Sequence, residues 1–275
     1  MELLVAIGAE EGWTERLRSA LDARVVTYPA PPPTFSIEGS VYVESATVAG
    51  RWLRPHGIFI YGYFDDAAAF RRALALAATP TFPDVRRTLP LDERALALVA
   101  ATLADGSRPP RGFVPAGVEV SFEREHVLKW GSRHCGEDKA RASGRWLVEQ
   151  DAIVEPFFDG RSERVLVVGG EAWHLRYESD DWRKNVRAKV AVIDPDAELV
   201  ARARRICASL GLEVAGVDFV VTPESAYLLE VNAYPGLDDV PAAADALVAL
   251  TRRWWSSIPT SAPSGDRRSP PGGGS

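Results

Sequence analysis

The most constraining feature of the chain is a pair of apolar strands near its C-terminal end, within residues 211–236. A polar turn, Thr222–Ser225, separates the two strands, and this pattern predicts a β-hairpin. When the hairpin is folded about Glu224, Asp218 lies opposite Glu230. One face then carries only apolar side chains and is predicted to face the core: Val217, Phe219 and Val221 against Tyr227, Leu229 and Val231.

The other face of the hairpin carries three side chains with oxygen atoms, Asp218, Glu230 and Asn232. Directly opposed residues on paired strands have Cβ atoms about 4.5–5.5 Å apart, so two carboxylates placed there repel each other. A divalent cation removes this repulsion, and Asp, Glu and Asn oxygens are the ligands that Mg²⁺ prefers. The alternative interpretation is a solvent-facing strand pair whose acids are incidental.

The hairpin resembles the C-terminal metal-binding hairpin of the ATP-grasp enzymes, in particular the branch of ribosomal-protein glutamate ligases and glutathione synthetases. Those enzymes carry a Gly-Val-Asp strand and a turn, followed by Leu-Glu-Val-Asn and Pro-Gly. Five residues match this pattern: Asp218, Glu230, Asn232, Pro235 and Gly236. The resemblance implies that Asp218 and Glu230 hold one Mg²⁺, and that Glu230 and Asn232 hold a second. It extends over roughly residues 110–240 and implies ATP as the nucleotide.

Lys129 stands at the end of an apolar strand and precedes a loop, residues 131–136, that contains two glycines. A cation at a strand end beside exposed backbone N–H groups suits phosphate oxygens. The resemblance implies that Lys129 contacts the α-phosphate, and that Gly131, His134 and Gly136 belong to a loop over the β- and γ-phosphates. The loop departs from the family pattern by its few glycines, so side chains are expected to replace some backbone contacts. The alternatives are an ordinary strand-end lysine and a polar loop histidine.

The stretch Ile153–Gly160 resembles the hinge of the family, which lines the adenine slot. The resemblance implies that Glu155 meets the adenine amino group and that the backbone of Phe157 meets a ring nitrogen. The ribose contact is left open between Ser162 and Glu163. The alternative for this apolar stretch is an ordinary core strand.

Polar and cationic residues recur on the strands that follow: Arg164, Arg176, Arg183, Asn185 and Lys189. Such a series is also typical of a solvated face. Transfer of a γ-phosphoryl group concentrates negative charge on oxygens, and positioned arginines and Mg²⁺ stabilise that charge. The segment Asp181–Asn185 matches an Asp-aromatic-Arg-x-Asn segment of the family. The resemblance implies a transition-state clamp of Arg176 and Asn185, with Arg164 next, while Arg183, Arg187 and Lys189 are candidates for contacts with the second substrate.

Composition sets outer bounds on the function. The chain has 275 residues, of which 46% are hydrophobic and 25% charged, as in an ordinary globular protein. Its net charge of −6 argues against nucleic acid or an anionic membrane as the main partner. Two cysteines are too few for a disulfide framework, and no apolar run approaches the roughly 20 residues of a membrane span. We therefore expect a cytoplasmic protein with no nucleic-acid or membrane partner.

The order of strand and helix patterns predicts three regions. Residues 1–85 are expected to form a small N-terminal α/β domain that begins with a buried strand at Leu3–Ile7. Residues 86–255 are expected, by the resemblance, to form an α+β ATP-grasp domain of two subdomains that clasp ATP. Residues 256–275, rich in Ser, Pro and Gly, are predicted to be a disordered tail.

By the resemblance, the chain is expected to be a Mg²⁺-dependent ligase that uses ATP to convert a carboxylate into an acylphosphate. An amine, or a thiol, would then displace the phosphate. The substrates are expected to be small-molecule or peptide carboxylates and amines. Two alternatives remain open, namely a degenerate ATP-grasp module that only binds nucleotide, and an ATP-grasp phosphotransferase. Release of ADP that depends on an added amine separates the ligase from both.

Overall fold

The chain folds into two units that mix helices and sheets. The structure is a computed structural model that describes residues 1–9, 11–62, 64, 68–107, 110–131, 138–184 and 186–259. Its internal contacts define one unit of Met1–Leu89 with Ala244–Ser275, and a second unit of Pro90–Ala243. The predicted α+β character is confirmed.

The first unit contains a parallel and an antiparallel sheet. Its elements up to residue 88 are β1 (Leu3–Ile7), α1 (Glu11–Ala20), β2 (Arg24–Tyr28), β3 (Thr34–Ile37), β4 (Ser40–Glu44), β5 (Trp52–Leu53), β6 (Gly57–Ile60), α2 (Ala68–Ala75), β7 (Thr81–Phe82) and α3 (Val85–Thr88). The parallel sheet has the order β2-β1-β6-β7, and the antiparallel sheet has the order β3-β4-β5. All of β1 is buried, as expected for a central parallel strand, and the predicted strand at Leu3–Ile7 is confirmed.

The second unit is built from two antiparallel sheets and two long helices. After a 3₁₀ turn at Leu89–Leu91, its elements are α4 (Arg94–Asp105), β8 (Gly112–Val114), β9 (Glu119–Lys129), β10 (Lys139–Leu147), β11 (Ala152–Pro156), β12 (Arg161–Val168), β13 (Glu171–Glu178), β14 (Lys189–Ile193), α5 (Ala197–Leu210), β15 (Val214–Val221) and β16 (Ala226–Asn232). One sheet has the order β10-β9-β11-β8, and the other has the order β14-β13-β12-β15-β16.

Helix α5 covers one face of the five-stranded sheet, where it contacts β12, β13 and β15. Asp196 caps the N-terminal end of the helix, where its side chain accepts hydrogen bonds from the backbone N–H groups of Glu198 and Leu199. Gly211, with φ of 67°, caps the C-terminal end. A glycine takes this left-handed conformation without a steric penalty, which explains why the helix ends there. Arg202 of α5 stacks over the ring of Phe219 at 5.1 Å. We call this side of the sheet the helix face.

The last helix, α6 (Pro241–Ser257), lies mostly in the first unit. Gly57 leaves room for it, because a Cβ at this position would lie 2.9 Å from the ring of Trp254. The neighbouring Trp255 packs edge-on against His56, with ring centroids 5.2 Å apart. The sequence alone predicts that this helix belongs to the second domain and that a tail begins at residue 256.

Two residues of the predicted tail, Ser256 and Ser257, are helical in the structure, because α6 continues to Ser257. The tail from residue 260 onward lies outside the described residues. None of the described helices has the length and apolarity needed to cross a membrane.

Candidate functional site

The β15–β16 hairpin has the register that its sequence predicts around the acids. Asp218 pairs with Glu230, and Gly216 pairs with Asn232. A register shift follows Asp218, so that Phe219 pairs with Leu228. This extra residue changes the alternation of β16, and Leu228 takes the buried position that the sequence analysis gave to Leu229.

The face of the five-stranded sheet opposite the helix face carries the paired acids, and we call it the hairpin face. Arg164 of β12 pairs with Asp218 and donates to both carboxylate oxygens, Nη2 to Oδ2 at 2.7 Å and Nε to Oδ1. Gly216 makes this possible, because a Cβ there would lie 3.0 Å from Arg164 Cδ and Nε. Burial would lower the pKa of the Arg164 guanidinium, but the Asp218 carboxylate more than offsets this and raises the pKa.

Glu230 lies among cationic side chains. Lys139 Nζ is 3.9 Å from Glu230 Oε2, and the Glu230 side chain is 31% exposed. Glu230 and Asn232 line a small cavity of about 30 Å³ together with Lys129 and Arg94. The Asn232 Oδ1 atom accepts the backbone N–H of Tyr234 at 2.9 Å, and an amide oxygen has a second lone pair for another contact.

Lys129 and Glu155, both predicted to contact the nucleotide, form an ion pair with each other. Both side chains are buried, and Arg111 Nε donates to the second Glu155 oxygen at 3.0 Å. Burial would raise the pKa of Glu155, but the two cations outweigh it and lower the pKa. Burial lowers the pKa of Lys129, and Glu155 opposes this shift. The role of Arg111 is not predicted from the sequence, where the available signal is its place in the stretch Arg-Pro-Pro-Arg.

Two further predicted nucleotide contacts have partners within the second unit. The Phe157 N–H donates to the backbone carbonyl of Glu125 at 2.9 Å, so an adenine ring nitrogen would have to replace that acceptor. The Phe157 ring lies under the Arg141 guanidinium, 3.9 Å from its Cζ. Gly131 has φ of 59°, and a Cβ there would lie 2.5 Å from an Asp138 carboxylate oxygen. Three other predicted site residues, His134, Gly136 and Asn185, lie outside the described residues.

Arg176, a predicted member of the transition-state clamp, does not contact the hairpin acids in this structure. It pairs with Glu163 across β12 and β13, whereas Arg164 pairs with Asp218. Because successive strand residues point to opposite faces, Arg176 and Glu163 lie on the helix face. Arg176 Nη2 donates to Glu163 Oε1 at 3.1 Å. Of the predicted clamp, only Arg164 contacts a hairpin acid among the described residues.

Glu163 is the centre of a buried polar network on the helix face. Its Oε1 atom also accepts from Arg161 Nε at 3.1 Å, and its Oε2 atom is 3.0 Å from His174 Nε2. The His174 Nδ1 atom accepts the backbone N–H of Asp196 at 3.1 Å, so Nε2 carries the proton and donates to Glu163. Hydrogen bonds through His174 therefore connect Glu163 to the start of α5. Of the two candidates for the ribose contact, Ser162 lines a cleft at this end of the sheet and Glu163 does not.

That cleft has a volume of about 580 Å³ and lies where β12 begins, β13 ends and β14 begins. Five cationic residues line it: Arg161, Arg176, Lys184, Arg187 and Lys189. Two acids, Glu178 and Asp180, also line it, so cations are in excess. The cleft therefore favours an anionic ligand.

The hairpin acids form a pair and not a larger cluster. Among the described residues, no three His, Cys, Asp or Glu side chains come together as a metal-binding group. The candidate ligands are therefore two carboxylates and one amide, Asp218, Glu230 and Asn232. Such hard oxygen donors fit Mg²⁺, which usually takes one or two protein carboxylates and completes its shell with water and phosphate.

Comparison with known proteins identifies the fold. Residues 142–249 match the sequence model of the RimK-like ATP-grasp domain. These residues are therefore similar to a RimK-like ATP-grasp domain. A RimK domain ATP-grasp protein of Sphaerobacter thermophilus aligns with 90% of this chain and 98% of its own, at a TM-score of 0.65 and 17% identity. The macrocyclase MdnC of Microcystis aeruginosa, solved with its precursor peptide MdnA, aligns with 91% and 99%, at a TM-score of 0.61 and 12% identity. At these identities the likeness is one of fold, and the expected ATP-grasp fold is confirmed.

Curated proteins that are similar to part of this chain are named as ligases. A probable alpha-L-glutamate ligase of Citrobacter koseri is 38% identical over 111 residues, which are 38% of this chain and 35% of that protein. The ribosomal protein bS6–L-glutamate ligase of Escherichia coli is 34% identical over 111 residues, with the same shares of the two chains. The chain therefore spans about a third of the length of these relatives.

Proposed function

We propose that the protein is an ATP-dependent ligase that joins a carboxylate to an amine, and that at least one of its substrates is acidic. The observation that carries this proposal is the pairing of Asp218 with Glu230, beside Asn232, on the hairpin face of an ATP-grasp fold. Two opposed acids at this place are unfavourable without a cation. The glutamate ligases among the relatives support a ligase in general and an acidic substrate in particular.

Mg²⁺ would be held by Asp218, Glu230 and Asn232, and it would neutralise and orient the phosphate oxygens of ATP. Asp218 is paired with Arg164 in this structure, so metal binding and the arginine compete for the same carboxylate. Once a metal ion displaces it from Asp218, the Arg164 guanidinium would be available on the hairpin face to contact the phosphoryl group. We therefore assign it the charge-stabilising role that the sequence suggested.

Lys129 would contact the nucleotide from the end of β9. Glu155 and Arg111 position it, because the ion pair with Glu155 and the hydrogen bond from Arg111 fix both carboxylate oxygens beside the lysine. The main role of Glu155 would therefore be to position Lys129. Its proposed contact with the adenine amino group would use an oxygen lone pair that accepts from neither Lys129 nor Arg111.

The chemistry would proceed in two displacements. A carboxylate oxygen of the first substrate attacks the γ-phosphorus, the bond to the β,γ-bridging oxygen breaks, and ADP leaves. The acylphosphate then reacts with a neutral amine at its acyl carbon, the carbon–oxygen bond to phosphate breaks, and one amine proton is lost to solvent. The cationic cleft beside β13 would bind the acidic substrate.

One observation favours a second candidate, a nucleotide-binding module without ligase activity. The bidentate contact with Arg164 satisfies Asp218 without any metal. A chain that keeps this contact when nucleotide binds would lack one of its two metal carboxylates.

The test is a coupled assay of ADP release with ATP, Mg²⁺ and L-glutamate, with and without a glutamate-ended acceptor peptide. The ligase predicts ADP release that requires both substrates and Mg²⁺, with addition of one glutamyl residue to the peptide detected by mass spectrometry. ADP release that needs the carboxylate but no amine would support the phosphotransferase. A rise in melting temperature with Mg²⁺–ATP, without ADP release under any combination, would support the binding module.

A further inference from the structure

Strand β10 brings a second lysine to the candidate nucleotide site. Lys139, the first residue of β10, pairs directly with Lys129, the last residue of β9. Side chains of directly opposed residues lie on the same side of a sheet, and like charges in such pairs are destabilising. Both lysines are largely buried, at 13% exposure for the Lys139 side chain and 6% for Lys129. The sheet therefore holds two ammonium groups side by side with little water to screen them.

The two lysines differ in how their charge is balanced. Lys129 has a close ion pair with buried Glu155, which two cations fix in place. The ion-pair partner of Lys139 among the described residues is Glu230, at 3.9 Å, which is too long for a hydrogen bond. Glu230 is also the acid that faces Asp218 across the hairpin. Glu230 thus balances the charge of Lys139 and is also a candidate ligand of the metal ion.

The competition between Lys139 and a metal ion for Glu230 indicates a function for Lys139. If Glu230 binds Mg²⁺, as the proposed function requires, Lys139 loses its counter-charge while Lys129 and Arg164 remain close to the same acids. An anion must then take the place of the carboxylate. We propose that Lys139 is a phosphate-binding residue, which exchanges Glu230 for a phosphate oxygen of the nucleotide when the metal binds. This inference rests on the proposed function and adds a residue to it that the sequence analysis did not consider.

The exchange predicts two effects of opposite sign in one variant, Lys139→Met, which keeps the aliphatic stem. The affinity for Mg²⁺–ATP should fall about tenfold or more, because a charge-assisted contact with phosphate is lost. The affinity for Mn²⁺ alone, used as a spectroscopic probe of the metal site, should rise severalfold, because Glu230 then has one competing cation fewer, with Lys129 and Arg94 still lining the same cavity. Isothermal titration calorimetry measures the first quantity, and electron paramagnetic resonance of free Mn²⁺ measures the second.

Arg145→Met is the matched control, because Arg145 lies on the same strand in an exposed ion pair with Glu119, with its side chain 79% exposed. It should change neither affinity. Lys139→Arg keeps the charge and should retain Mg²⁺–ATP affinity within a few fold, which separates charge from folding. Thermal melting checks that each variant is folded.

Three results would overturn the inference. Equal Mg²⁺–ATP affinity in wild type and Lys139→Met would exclude a phosphate contact. A parallel loss of Mn²⁺ and nucleotide affinity would show that Lys139 supports the site structurally and does not exchange partners. A wild-type chain that binds no Mg²⁺–nucleotide at all would contradict the proposed function itself, and the role of Lys139 would fall with it.

Discussion

The two faces of the five-stranded sheet each hold a buried acid with an arginine partner, and they differ in what surrounds that acid. On the helix face, Glu163 accepts from Arg161, Arg176 and His174, and its network ends at the backbone of Asp196. On the hairpin face, Asp218 has Arg164 as its hydrogen-bonded cation and a second acid, Glu230, opposite it.

The difference shows how to separate structural from functional acids in one sheet. An acid whose oxygens are saturated by fixed donors gains nothing from a metal and is held by the fold. Two acids that face each other across paired strands, as Asp218 and Glu230 do, repel each other, and a metal ion bound to both relieves that repulsion. Four predictions test this comparison.

The largest effect is expected for Glu230→Gln. Turnover of ATP should fall by at least about 100-fold, because the pair of acids that would hold Mg²⁺ is broken. The Glu230 side chain is 31% exposed and its ion pair with Lys139 is 3.9 Å long, so the free energy of unfolding should change by no more than about 1 kcal/mol. Steady-state ADP release and chemical denaturation measure the two quantities.

The control for Glu230→Gln is Glu224→Gln, an exposed acid in the turn of the same hairpin, which should leave both quantities unchanged. Wild-type turnover in Glu230→Gln at saturating Mg²⁺ would show that the hairpin acids are not a metal site.

Asp218→Asn is expected to lose turnover and also stability. The Asp218 side chain is only 12% exposed, and its removal leaves the buried Arg164 charge without its carboxylate. Breaking a buried pair from one side costs about 3–5 kcal/mol, which urea denaturation would detect. The double variant Arg164→Met, Asp218→Asn should recover part of that loss without recovering turnover. If the double variant is no more stable than Asp218→Asn, the pair does not carry the stability assigned to it.

The contrast between these acids was only partly predictable from the sequence. The opposition of Asp218 and Glu230 followed from two strands joined by a short turn, which fixes the register locally. The contact of Arg164 with Asp218 joins residues 54 positions apart, and no local pattern reports which strands lie side by side. A bulge after Asp218 places Leu228, and not Leu229, at the buried position, because one inserted residue reverses which side chains of β16 face the core.

The same limit applies to the position of Arg176 and to the two residues that the sequence did not single out. Arg176 and Leu175 are neighbours in sequence, and a shift of one residue decides which of them shares a face with Arg164. Arg111 and Lys139 went unnoticed, because their importance arises from Glu155 and Glu230, which only the folded sheets bring near them. The family resemblance identified the ATP-grasp fold, while side-chain partners across sheets required the structure.

Glu163→Gln should destabilise the protein without impairing nucleotide binding. The neutral amide has one acceptor oxygen for the donors that Glu163 now serves, so about 1–3 kcal/mol of unfolding free energy should be lost. Because Glu163 lies on the helix face, the affinity for Mg²⁺–ATP should stay within about twofold of wild type. Chemical denaturation measures the free energy of unfolding, and calorimetry measures the affinity for Mg²⁺–ATP. A large loss of affinity at full stability would mean that the two faces are not independent.

The smallest effect is expected for Arg176→Ala, although a member of the transition-state clamp that the family resemblance implies would lose about 100-fold in turnover. The Arg176 side chain is 36% exposed and bonds to Glu163 on the helix face, so truncation should cost less than about 1 kcal/mol of stability. Turnover at saturating substrate and the KM for ATP should stay within about threefold of wild type, because the guanidinium does not face the hairpin acids. Arg176 does line the cationic cleft, so the KM for the acidic substrate should rise severalfold. Steady-state kinetics with each substrate varied in turn separates these parameters. A fall in turnover of about 100-fold with an unchanged KM for the acidic substrate would show that Arg176 acts in phosphoryl transfer. The helix face would then not be separate from the site of catalysis.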